Sequence, residues 1–481
     1  MNVAFLSFIG FFSSAWHDVV DRVRPAFDPQ RSVLVGDHNR KNAVASLIGI
    51  SAADLDKKYR DADQEKFIRS LFYQGGTRKR PIYFIKNPTT GLYFQAGYFE
   101  EVPLAELVPQ ASTSGKAEVV TKLRFHLLAN NYDIGLLQAN PFFNGAVFQV
   151  ASNFSTLEPS DKNAGPEDCT LDDYENDKTQ GPKASLSALP GLFLRMYGVF
   201  RQQGPPYSNP VKSFYGAKSP LDWRQANDRQ VELLSETGIP VQNGYIALYG
   251  VDSKGNWEFK DEHIEFLKKI KEKKSAEDFS DIVSTMKIGI HRDIQVLFGN
   301  QSDSSTHAPL NRSNQIINQV FIAALDRGQT NKLFWLQNLN SLEKYSWVAP
   351  YRDSVDLLAQ AILGAGYKGT LGAAHRLGAK KVVLTQIGGG VFKNEPEWIR
   401  SALLGALKKY EHLDIDVYLN IYDSNGIKAA QNIAQQYITE AQKENISAAI
   451  TTLDALKPPA TTQPIAQSNS WWSRFRRVIK V

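Results

Sequence analysis

Lys380-Lys381-Val382-Val383-Leu384-Thr385-Gln386-Ile387-Gly388-Gly389-Gly390-Val391-Phe392-Lys393-Asn394 decides how the rest of the chain reads. The apolar, β-branched run from Val382 to Ile387 predicts a short buried strand. Three glycines follow at once. Asn394-Glu395-Pro396 then opens a helix whose pattern continues through Trp398, Ile399, Leu403 and Leu404. Strand, glycine turn and helix start outline an anion site, because glycines let the backbone approach a phosphate and helix-start amides point at it. No Gly-Lys-Ser/Thr follows, so this is not a Walker loop, and the glycine spacing is not the dinucleotide fingerprint. A tight strand-to-helix turn without a ligand would read the same way.

Outward from this stretch, alternating strand and helix patterns run in both directions. Upstream, Asn131 to Leu137 follows a helix-or-strand segment, Glu118 to Leu127. Gly145 to Phe154 is an apolar strand with a small, polar end. Thr179-Gln180-Gly181-Pro182 turns into a helix that continues past Leu192. Met286 to Phe298 and Gln319 to Leu325 read as strands, the second ending at Asp326. Ser354 to Leu377 is a helix, in which Gly364 and Gly366 suggest close packing. Downstream, Asp416 to Tyr422 is a last strand, and a helix follows from Gly426.

The organisation expected is an N-terminal segment (1–38), a small α+β region (39–115), an α/β domain (116–445) interrupted by an insertion at about 201–285, and a flexible tail (446–481). The α+β region holds two strands, Arg80 to Ile85 and Leu92 to Phe99, around an Asn87-to-Gly91 turn. The lysine-rich run 268–274 reads as a solvated helix face.

The chain has 481 residues, 42% hydrophobic and 22% charged, an ordinary globular composition. A net charge of +5 is too mild to make nucleic acid the main partner. With one cysteine, Cys169, no internal disulfide or cysteine-based metal site can form, which fits a reducing compartment such as a cytosol. No stretch is long and apolar enough to span a membrane. Both ends are aromatic: Phe5, Phe8, Ile9, Phe12 and Trp16 at helical spacing, and Trp471 to Lys480 with basic residues. Each either docks on the body of the protein or touches a membrane surface or a partner.

Four stations, in order, resemble those of the macrodomain family, on its poly(ADP-ribose) glycohydrolase-like branch. They are Asp133-Ile134, the strand ending Val150-Ala151-Ser152-Asn153, Gln180-Gly181-Pro182, and Gly388-Gly389-Gly390-Val391-Phe392. The resemblance implies a three-layer α/β/α fold with a mixed central sheet, and ADP-ribose as ligand or product. It implies that Asp133 accepts from the adenine amine, that Asn153 lies by the distal ribose, and that the second glycine loop binds the diphosphate with Phe392 by the ribose. The departures are Ser152 in place of alanine, Thr-Gln-Gly-Pro in place of a glycine triplet, and long inserts. They point to a divergent member.

Cleaving an ADP-ribosyl bond needs a group to position or deprotonate water and a way to assist the leaving group. An arginine leaving group favours nearby carboxylates. Asp326 is the first candidate and Asp353 the second, with Glu343 in the connecting loop. His291 and Asp293 share a strand face and read as core-edge residues. No metal-ligand spacing stands out, and no cofactor is expected. The resemblance implies a hydrolase that frees a modified protein, such as arginine-modified ubiquitin, of ADP-ribose. A bacterial effector delivered to a host cytosol would do this. The alternatives are a reader that binds ADP-ribose without turnover, and a structural protein that has lost the ligand.

Overall fold

The computed structural model describes residues 43–456, apart from 59–66, 69, 78–79, 109–120, 159–168, 178, 199–230, 252–256, 301–306, 310–314 and 329–342. The aromatic ends of the chain, much of the insertion and residues 329–342 therefore lie outside the described residues. Among the described residues no helix is long and apolar enough to cross a membrane.

Ten strands form one sheet. They are β1 (Phe72–Thr77), β2 (Arg80–Lys86), β3 (Tyr93–Pro103), β4 (Arg124–Leu128), β5 (Val147–Ala151), β6 (Lys287–Gln295), β7 (Ile316–Ile322), β8 (Lys381–Thr385), β9 (Asp416–Asn420) and β10 (Ala448–Ile450). Their order is β1-β2-β3-β6-β7-β5-β8-β9-β4-β10. The six strands from β7 to β10 pair in parallel. The four from β1 to β6 pair antiparallel, and β6 joins the two halves antiparallel to β7. The sheet is mixed, as expected. Residues 72–103 are not set apart from the α/β domain: their strands continue its sheet.

Chirality explains the layering. Three crossovers, β7 to β8, β8 to β9 and β9 to β10, all step the same way across the sheet. Their helices are α5 (Arg352–Leu377), α6 (Pro396–Lys409) and α7 (Ile427–Lys443). Right-handed connections stepping one way place their helices on one face. Contacts agree: Gln149 on β5 donates to Thr370 on α5, Gly366 packs against Ile322, and Arg400 on α6 pairs with Glu440 on α7.

The opposite face carries α1 (Ile134–Ala139), α2 (Gln180–Ser187) and α3 (Leu189–Tyr197). There Gln319 donates to the Ala184 carbonyl, and the Arg195 guanidinium lies 3.9 Å from the centre of the Phe321 ring. Successive β7 residues thus face opposite layers, the alternation a strand imposes. The result is a three-layer α/β/α fold. The α5 glycines that meet the sheet are Gly366 and Gly369, the latter against Ile288, whereas Gly364 faces open space.

Arg195 and His291 are fully buried between α3 and β6. Arg195 Nη1 donates to His291 Nδ1 at 3.2 Å, and His291 Nε2 donates to the Ala96 carbonyl at 2.7 Å. Burial and the neighbouring guanidinium hold the His291 pKa well below the usual range. The imidazole is a neutral structural bridge, in keeping with its reading as a core-edge residue. Asp293 lies at a bulge of β6 with φ 61°.

Candidate functional site

Adjacent β5 and β8 send their chains to opposite faces, β5 towards α2 and β8 towards α6. A crevice opens where neighbouring connections diverge in this way, beyond the carboxyl ends of the strands. The four stations singled out in the sequence all leave this edge.

The first lies beyond β4. Asp133 caps α1: its Oδ1 accepts from the Gly135 amide at 2.8 Å. Its Oδ2 accepts from Lys183 Nζ at 2.8 Å and from Gln180 Nε2 at 3.4 Å. Gln180 also accepts from the Ile134 amide at 2.8 Å. The structure thus brings Asp133, Ile134 and Gln180 together, and adds Lys183, a buried cation that the sequence reading missed. Its only signal was its place one turn into a helix opposite an isolated aspartate. Gly181 permits close packing: a Cβ there would clash with the Ala151 carbonyl and lie 2.7 Å from Glu158 Oε1.

Asn153, just past β5, is buried. Its Oδ1 accepts from the Ser155 amide at 3.0 Å and hydroxyl at 2.7 Å, and its Nδ2 donates to the Asn243 carbonyl at 3.3 Å. Asn243 belongs to a hairpin of the insertion, Val241–Gln242 paired with Tyr245–Ile246. The Phe154 amide donates to the Gly244 carbonyl at 2.8 Å. Gly244 has φ +79°, and a Cβ there would sit 2.7 Å from Asn153 Oδ1, so the hairpin can close on β5 only with glycine at that position. The next residue, Tyr245, reaches Phe392 with ring centroids 5.9 Å apart. The insertion therefore walls the crevice, which nothing local in its sequence announced.

The glycine loop turns at Gly388, whose φ is +73°. Its carbonyl accepts from the Asn394 amide at 2.9 Å, and Asn394 Nδ2 donates to the Leu325 carbonyl at 3.0 Å. The amides of Gly390, Val391 and Phe392 donate to no protein acceptor among the described residues. Gly389 and Gly390 are exposed, as is Val391 at 73%. A run of unpartnered amides after a strand is the physical requirement of an anion cradle.

Asp326 follows β7 on the same edge. A Cβ on Gly328 would lie 3.1 Å from Asp326 Oδ1 and 3.4 Å from the Val391 carbonyl, so the carboxylate and the glycine loop are neighbours. The hydroxyl of Tyr249, from the insertion, has its pKa raised by burial and then by the Asp326 charge. Asp353 is exposed in the first turn of α5. The carboxylate of α5 that reaches the site's framework is Asp356, whose Oδ1 lies 3.1 Å from Arg327 Nη2. Burial raises its pKa, against the pull of Arg327.

A last carboxyl, Glu158, stands at the head of α2. The residue is part-exposed, yet its Oε1 is buried without a partner among the described residues. Burial, aided by Asp177, pushes its pKa well above the usual carboxylate range. Among the described residues no group of His, Cys, Asp and Glu could hold a metal ion.

No family model matches this sequence, and no curated protein matches it. Solved structures of poly(ADP-ribose) glycohydrolase are similar in part. That of Thermomonospora curvata is 12% identical over 82% of this chain and 98% of its own, with a TM-score of 0.34. The same enzyme bound to the inhibitor ADP-HPD gives 0.35 at 12% identity and the same coverage. The Deinococcus radiodurans enzyme in complex with ADP-ribose is 10% identical over 71% of this chain and 94% of its own, with a TM-score of 0.31. Superpositions this loose transfer no residue roles.

Proposed function

We propose that the chain is a macrodomain-type hydrolase that binds ADP-ribose and releases it from a modified protein. The observation that carries this reading is the linear order of groups along one sheet edge. Strand order sets it: Asp133 beyond β4, then β9, the 388–392 loop beyond β8, Asn153 beyond β5, and Asp326 beyond β7. From β4 to β5 is three strand spacings, roughly 14 Å at about 4.8 Å each. A ligand gripped at both ends must be extended, with its anionic part in the middle. ADP-ribose has that layout: base, diphosphate, distal ribose and scissile bond.

In this reading Asp133, at the head of α1, accepts from the adenine amine. The Gly390, Val391 and Phe392 amides take the diphosphate. Asn153 and the Tyr245–Phe392 pair shape the ribose end. Asp326 acts at the anomeric carbon, orienting or deprotonating the attacking water, whose oxygen forms the new bond as the leaving group departs with a proton. ADP-ribose is ligand and product, and no cofactor takes part. The carboxylate at this end, Asp326, favours a cationic leaving group, so arginine-linked ADP-ribose, on ubiquitin for example, is the first substrate to assay.

The test is calorimetric titration of ADP-ribose into wild type, Gly390→Glu and Gly390→Ala, followed by hydrolysis assays with Asp326→Asn. A Cβ on Gly390 meets no other atom, so both loop variants should fold. Binding by wild type and Gly390→Ala, lost in Gly390→Glu, supports the cradle. No binding by wild type ends the proposal. Binding without turnover of arginine-linked or acid-linked substrates would make the protein a reader.

A further inference from the structure

Arg327 follows Asp326 directly and is buried. Its backbone amide donates to the Phe392 carbonyl at 2.9 Å, tying the end of β7 to the last residue of the glycine loop. Its side chain continues the tie in three directions. Nη1 lies 2.7 Å from Glu395 Oε1, at the head of α6. Nη2 lies 3.1 Å from Asp356 Oδ1 on α5. The guanidinium stacks over the Trp398 ring, 4.4 Å from its centre. Only the planar, forked arginine side chain can make two diverging ion pairs and a ring stack together. Nε is buried with no acceptor among the described residues, a cost that a residue kept for stability alone would be expected to avoid.

We propose that Arg327 is the positioning residue of the site. It fixes the gap between the Asp326 carboxylate and the amides of residues 390–392, and so sets where a bound diphosphate places the scissile bond. One residue holds both sides of that gap: its own backbone carries Asp326, and its amide and guanidinium carry the 392–398 segment. Asn394, which bonds the Leu325 carbonyl from the loop side, reinforces the same gap. The catalytic consequence rests on the ADP-ribose reading above; the clamp itself does not.

The experiment compares full-length wild type, Arg327→Ala and Arg327→Lys by amide hydrogen exchange and by hydrolysis kinetics. In Arg327→Ala, exchange at the hydrogen-bonded amides of the loop, those of Gly389, Lys393 and Asn394, should rise about tenfold while β8 and the middle of α5 keep their protection. Its kcat should fall by about a hundredfold, the scale set by a misplaced reacting group, with a smaller change in KM. Arg327→Lys keeps one ion pair and should fall between the two. A merely structural role would lower stability without moving kcat in the folded fraction.

Arg327→Ala that folds with exchange and kcat within about twofold of wild type overturns the proposal. If that variant does not fold, Trp398→Leu and Glu395→Gln remove the clamp one contact at a time, and graded loss of loop protection is expected. Unchanged protection in both overturns it as well. If wild type neither binds nor hydrolyses ADP-ribose, the functional reading fails while the exchange result still decides the clamp.

Discussion

Lys183 Nζ sits 2.8 Å from Asp133 Oδ2, with the lysine fully buried and the aspartate nearly so. The pair joins α2 to the head of α1 at one end of the crevice. Removing one partner from a buried pair leaves the other charge without its counter-charge. Lys183→Met should therefore cost roughly 3–5 kcal/mol in urea unfolding. Adding Asp133→Asn should restore most of that loss, while ADP-ribose affinity falls because an amide replaces the charged carboxylate acceptor.

Gly388 and Gly390 sit two residues apart and should respond oppositely to alanine. At Gly388 the backbone is left-handed, and a Cβ would lie 2.6 Å from Asn394 Nδ2 and 2.7 Å from the Ala324 Cβ. Gly388→Ala should lower stability by about 1–3 kcal/mol through that strain. Gly390→Ala should leave the melting temperature unchanged. Thermal unfolding of the two variants side by side makes the comparison.

Glu158 makes stability depend on pH in an unusual direction. Its folded pKa lies above the unfolded value, so the protonated carboxyl is the form the fold favours. Its contribution is fully present below the unfolded pKa, about 4.3, and is lost as pH rises through the folded value. Glu158→Gln should remove this dependence. Relative to wild type it should be more stable at pH 8, and the difference should shrink as pH falls. Denaturant titrations at several pH values would show it, and a difference that grows towards acid would contradict it.

Cys169 is buried, and burial pushes its thiol up to about 12. The thiolate is the reactive form, so the native protein should give no reaction with a thiol reagent at pH 8. The same sample in denaturant should titrate one thiol per chain, the sequence having one cysteine. Rapid labelling of the folded protein would show that the segment over Cys169 opens.

Much of the fold was legible because its signals are local. The Asn87-to-Gly91 turn joins β2 and β3 in an antiparallel pair, and the apolar run after Lys381 is β8. Pro396 begins α6 at the first helical position, where its missing amide costs nothing. Pairing across the sheet was not legible. Nothing between residues 72 and 103 says that β3 will bond to β6, so that region read as separate.

The site divides along the same line. The glycine loop announces itself, because backbone geometry there demands glycine at Gly388. Arg327 does not, since its partners Asp356 and Glu395 lie 29 and 68 residues further on. Tyr245 falls where the sequence reads as a strand pair, but nothing in that pattern says that its ring will meet Phe392. Asp353, the second candidate, is exposed, whereas Asp356, one turn further along α5, meets Arg327, and nothing local in the sequence separates the two.

The bond from Asn153 to Asn243, with Gly244 seated against the same side chain, has a consequence for any attempt to shorten the chain. A segment that merely decorates a scaffold can be trimmed back without loss to the rest. Here a side chain at the carboxyl edge of the sheet, Asn153, anchors the 241–246 hairpin. Trimming residues 201–285 would strand the Asn153 amide and the Phe154 N–H together. Sheet edge and hairpin depend on each other, so the crevice wall can be redesigned only by changing both at once.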